Sequence, residues 1–158
     1  MKKLLSLTLT LALIMCAFAS CSLFGVVEKE GAVTVVIETE DGKYDVYKAN
    51  LEEVENKSEG AVGVIEALRD RKDKPLSVNM TDSAYGKYIK GIGGLEEDSL
   101  SKKYVMTYTS LEKDFGTWDG VGTLEYGGVT LKSCAVGVSA MTVEAGMIIL
   151  FRLEASQW

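Results

Sequence analysis

Hydrophobic and polar positions change regime three times along the chain. Leu4 to Ala19 is an unbroken uncharged run behind Lys2 and Lys3. Between Ser58 and Lys72, Ala61, Val64, Ile65 and Leu68 recur at helical spacing and mark one apolar face. Elsewhere from Ala32 onward, short stretches of branched and aromatic residues are cut by glycines, which reads as strands. Ala32 to Thr39 leads to Asp41-Gly42, a strong hairpin signal. Lys43 to Ala49 answers it, with Tyr44, Val46 and Lys48 on one face and Asp45, Tyr47 and Ala49 on the other.

The helix is predicted over Ser58 to about Lys72. Asn56 or Ser58 would cap it, and Glu59 stands in capping-box position to Asn56. Arg69, Arg71 and Lys72 crowd its C-terminal end, where the dipole favours cations, and Pro75 prevents continuation. Further strands are expected at Leu76 to Met80, Tyr85 to Ile92, Tyr104 to Leu111, Gly122 to Lys132 (interrupted at Gly127-Gly128) and Met147 to Leu153. A hairpin, one helix and then more strands is an α+β order, a mixed sheet packed on one helix. That order is the β-grasp arrangement.

The first run has a different meaning. It is shorter than the ~20 residues of a spanning helix, and a basic start, apolar middle and small-residue end describe a signal peptide over residues 1–20. Phe18-Ala19-Ser20-Cys21 resembles a bacterial lipobox, which implies lipidation of Cys21, cleavage before it and an extracytoplasmic protein held on the membrane. An ordinary secretory cleavage near Ala19 or Ser20, leaving Cys21 as a free thiol, is the alternative. Residues 21–31 would be a lipid-anchored tether and 32–158 the folded domain. With Cys21 acylated and Cys16 removed, Cys134 is left without a disulfide partner; its apolar neighbours predict a buried, inert thiol.

Composition removes whole classes of chemistry. The 158 residues include no histidine, so no Ser-His-Asp or Cys-His couple and no histidine-ligated metal can form. A net charge of −6 argues against a nucleic-acid binder. Asp114-Phe115-Gly116 matches a kinase tripeptide without the other kinase motifs, and Gly137-Val138-Ser139-Ala140-Met141 lacks the last glycine of a nucleophile elbow. Glu96, Glu97 and Asp98 form an acidic cluster, and Asp114 and Asp119 flank Trp118; such acids serve glycoside hydrolysis only when two face one cleft. A binding protein, neither an enzyme nor the holder of a cofactor or metal, is the expectation. Phe115 and Trp118 sit in the glycine-punctuated segment Asp114 to Gly122, where an aromatic either stacks on a ligand or folds back as a core cover.

From Ala32 onward the layout resembles the C-terminal β-domain of transcobalamin and intrinsic factor, and a bacterial family of secreted and lipid-anchored domains of unknown function. The residues that carry the likeness are Val64-Ile65-Glu66-Ala67-Leu68, Tyr85-Gly86-Lys87-Tyr88-Ile89 with Gly93-Gly94-Leu95, Tyr104, Leu131 with Gly137-Val138, and Gly146 before Ile148 to Leu153. The resemblance implies a ligand-facing module without chemistry of its own. Its ligand, a corrinoid in the vitamin carriers, would lie against Tyr85, Gly86, Tyr88, Met106, Tyr108, Phe115 and Trp118. This chain has Val105 where the carriers have Trp, a longer segment from Glu112 to Thr123, and no helical-barrel domain. Those departures suit a domain that binds something else or works with an extracellular protein partner. A cell-surface interaction module without a small-molecule site is the second expectation.

Overall fold

The computed structural model describes residues 31–40 and 42–155. The expected signal peptide, Cys21 and most of the expected tether lie outside the described residues. Among the described residues, nine strands and one α-helix follow one another as β1 (Ala32–Glu40), β2 (Lys43–Asn50), α1 (Ala61–Arg69), β3 (Val78–Ser83), β4 (Gly86–Ile92), β5 (Leu95–Glu96), β6 (Lys103–Thr109), β7 (Thr123–Tyr126), β8 (Val129–Ser133) and β9 (Ile148–Ala155). The described residues are therefore α+β, mostly sheet with one helix.

Six strands form one mixed sheet in the order β2-β1-β9-β6-β8-β7, and β3-β4-β5 form a second, antiparallel sheet. β1 and β9 run parallel, with Thr34 opposite Ile148 and Ile37 opposite Phe151. All other pairings are antiparallel. Both faces of β1 are covered: Val33, Val35 and Ile37 on one side and Thr34, Val36 and Glu38 on the other are all buried. That explains why Ala32 to Thr39 reads as a nearly continuous apolar run and not as a clean alternation.

The first face packs on α1. Ala61, Val64, Ile65 and Leu68, the stripe expected from the spacing, are fully buried with Val33, Val35, Ile37, Ile149 and Phe151. The helix is shorter than predicted. Lys57–Glu59 forms a 3-10 turn, and Gly60 precedes the helix without any side-chain cap. Ala61 N–H instead donates to Val138 C=O at 2.9 Å. Tertiary contact thus does what Asn56 and Glu59 were expected to do by local capping, and the helix stops at Arg69 with Asp70 as its cap. Among the described residues no helix is long and apolar enough to cross a membrane.

A separate second sheet was not expected. Ile89, Ile92 and Leu95 from it close the α1 side of the core. The second face of the large sheet holds a smaller core of Val36, Tyr108, Leu131, Ile148 and Leu150. Here the sheet curls. Tyr44 of edge strand β2 and Tyr126 of the opposite edge strand β7 meet edge-to-face, with ring centroids 5.1 Å apart.

Candidate functional site

The site begins with an incomplete strand pairing. β6 is paired with β9 from Lys103 to Thr109, but with β8 only through Tyr108–Ser133 and Thr109–Lys132. Before Tyr108 the β7–β8 hairpin leaves β6, and a groove of about 1040 Å³ lies over the first half of that strand. Tyr104, Met106 and Tyr108 project from one face of β6, as Glu154 opposite Tyr104 does from β9. Tyr88, Lys102, Ser133 and the loop from Trp118 to Gly122 complete the lining.

The rings are held in place. Trp118 is 47% exposed, yet its ring lies so close over Gly116 that a methyl group there would overlap it. It is both a partial cover and an open surface, the two roles its sequence context left undecided. Tyr88 is 40% exposed and its hydroxyl donates to Glu97. The same carboxylate accepts from Val105 N–H at 3.4 Å. Glu97, read from sequence as part of an acidic cluster, thus ties β4 to β6.

Tyr108 is almost fully buried, and its hydroxyl donates to Glu154 at 2.5 Å. It lies so close to Gly122 that only a residue without a side chain fits there. Burial and then the adjacent carboxylate push the Tyr88 and Tyr108 phenols well above the usual tyrosine range. Both therefore remain hydrogen-bond donors at any ordinary pH. Glu154 is also 3.3 Å from Arg152 Nε, which lies 3.2 Å from the buried Glu38. Neither oxygen lies in the direction of the Nε–H bond, so Nε has no directed hydrogen bond and these contacts are coulombic. Glu154 therefore reaches the groove already compensated by a phenol and a guanidinium.

Of the residues expected to bind ligand, Tyr88, Met106, Tyr108 and Trp118 come together on this groove. Tyr85, Gly86 and Phe115 do not line it. Tyr85 sits on the β3–β4 turn, 91% exposed. Gly86 has φ +97°, and a Cβ on it would be 2.6 Å from Ser139 Oγ, which accepts from Lys87 N–H. Its smallness seats the turn against the Ser139 loop. Phe115 is half-buried, bridged to Cys134 and with the Lys132 ammonium 5.3 Å from its ring centroid.

Glu154, Lys102, Ser133 and Gly122 were missed. Lys102 and Gly122 lie close in sequence to Tyr104 and Trp118, but nothing in their residue type marked them, while Ser133 and Glu154 are remote and only strand order brings them to the cluster. The acid pair around Trp118 is divided: Asp119 lines the groove, while Asp114 is buried and accepts from Thr142 N–H at 2.8 Å. The Cys134 thiol is half-buried, and burial pushes its pKa up. A second, smaller hollow of about 280 Å³ lies between α1 and the end of β2, lined by Glu53, Glu66, Asp70 and Arg71 among others. Among the described residues, no three His, Cys, Asp or Glu side chains are grouped to hold a metal ion.

No family model matches the chain, and no curated protein matches it significantly. Among solved structures, it is similar to a protein from Ruminococcus gnavus provisionally assigned to metal binding. The identity is 14% and the TM-score 0.52, over 80% of this chain and 99% of that one. At that identity the likeness concerns the fold.

Proposed function

We propose that this protein is a lipid-anchored, extracytoplasmic binding module that takes a small ligand in the groove over β6 and does no chemistry on it. One observation carries the reading: Tyr88, Tyr104, Tyr108, Met106 and Trp118, drawn from three separate parts of the chain, converge on one open groove. The hairpin–helix–strand order with β1 parallel to β9 supports a β-grasp domain over residues 32–158. The basic start, the apolar run and Phe18-Ala19-Ser20-Cys21 support a signal peptide and an anchor on Cys21. Replacing Cys21→Ala should move the protein from the detergent phase to the aqueous phase in a cloud-point partition. Unchanged partitioning would remove the anchor.

The transcobalamin-like layout makes a corrinoid the first ligand to test. Trp118 and Trp158 are the two tryptophans. The full-length Trp158→Phe protein in mild detergent therefore reports on Trp118 alone. Titration with cyanocobalamin and cobinamide should change its emission saturably. No response to either would end the corrinoid version.

A second reading rests on Tyr85 and Leu100, which are 91% and 99% exposed away from the groove. On that reading these side chains meet another extracellular protein. A partner crosslinked on cells should then be lost with Tyr85→Ala and Leu100→Ala. A partner retained by both variants would count against it.

A further inference from the structure

We infer that the ligand class of the β6 groove is an uncharged polyhydroxylated chain, a short oligosaccharide, and this rests on the reading of that groove as a binding site. The argument is by elimination among chemistries and then by fit. Anions are disfavoured because Asp119 and Glu154 line the groove with Lys102, and the nearby Arg152 guanidinium is already set between Glu38 and Glu154, in a chain of net charge −6. Cations are disfavoured for a different reason. Glu154 is already engaged by the Tyr108 hydroxyl and Arg152, and an ammonium, that of Lys102, already stands in the lining.

A purely apolar ligand fits no better. It would cover the Asp119 carboxylate without offering it a partner, and buried polar groups without partners are costly. What remains is a ligand with apolar faces for the rings and many hydroxyl donors for the carboxylates, which are acceptors only. Sugar rings have both. The two most exposed rings, Trp118 over Gly116 and Tyr88 tied to Glu97, are immobilised before any ligand arrives. Little side-chain entropy would then be lost on stacking. The shape agrees: Tyr104 to Tyr108 runs roughly 13 Å at about 3.3 Å per residue, the length of a short oligosaccharide more than of one ring. The groove is open along its side, so chain ends need not thread a closed pocket.

The test uses the full-length Trp158→Phe protein in detergent and four neutral tetrasaccharides: cellotetraose, chitotetraose, xylotetraose and maltotetraose. At least one should give a saturable change in Trp118 emission, with the same affinity at low and high salt because no ion pair is formed. Calorimetry on the wild-type chain should show that affinity falling about tenfold or more in Trp118→Ala. Trp118→Phe, which keeps a ring, should recover much of it, and Tyr85→Ala, outside the groove, should change nothing. Silence with all four sugars while a corrinoid saturates the signal would overturn the glycan assignment and leave the groove a binding site. Silence with sugars and corrinoids alike would overturn the assignment and remove the support for the binding reading too. Sugar binding that Trp118→Ala leaves intact, or that salt abolishes, would also overturn it.

Discussion

The hydroxyls of Tyr88 and Tyr108 each donate to a carboxylate, Glu97 and Glu154, and each phenol is held protonated well past its ordinary range. The consequence for stability has a definite sign. An acid whose folded pKa is raised contributes stability that is complete below the unfolded pKa, about 10 for tyrosine. Above that pH the unfolded chain loses protons that the folded chain keeps, so stability falls as pH rises. Urea denaturation between neutral pH and about 11 should show this decline. The Tyr88→Phe/Tyr108→Phe double variant should show a shallower one from a lower starting point. An equally steep decline in the double variant would assign it to other groups. The aromatic identities at both positions were legible from the strand pattern. Their partners were not, because Glu97 looked like one of three adjacent surface acids and Glu154 lies 46 residues from Tyr108.

At the scale of elements, α1 shows what periodicity can and cannot convey. Its buried stripe follows directly from the spacing of Ala61, Val64, Ile65 and Leu68. Leu68→Ala should therefore lower the unfolding free energy by about 2–5 kcal/mol, read from the shift of the urea midpoint at constant slope. A change no larger than that of an exposed substitution would contradict the packing described. The boundaries of the helix were less legible. The N–H of its first residue, Ala61, is met by Val138 C=O, 77 residues away, and Asn56 makes no side-chain cap. Strand β5 is only two residues long, Leu95–Glu96, too short to leave a pattern. Its pairing with β4 places Glu97 within reach of Tyr88.

For the whole molecule, the large sheet curls until its two edge strands touch through Tyr44 and Tyr126. This clasp holds the β7–β8 hairpin over the smaller core, and the groove lies where the hairpin has already left β6. Tyr126→Ala should raise amide hydrogen exchange in Thr123–Tyr126 and Val129–Ser133 more than in β1 and β9. Uniform protection across the sheet in that variant would show that the rings do not hold the hairpin. The alternation of Leu124 and Tyr126 with polar residues was visible along the chain. Which distant ring Tyr126 would meet was not.

By itself the sequence determined the α+β class, the β1–β2 hairpin, the buried stripe of α1 and the absence of histidine chemistry. These are consequences of local periodicity, turn residues and composition, which act within a few residues of the chain. Tertiary structure alone decided the division into two sheets, the curl that joins Tyr44 to Tyr126, and the meeting of Tyr88, Tyr108, Trp118 and Glu154 at one groove. Those features depend on strand order and on where β8 parts from β6. Both are settled by which surfaces bury one another across long sequence separations, and alternation within one strand carries no record of the neighbour it will have.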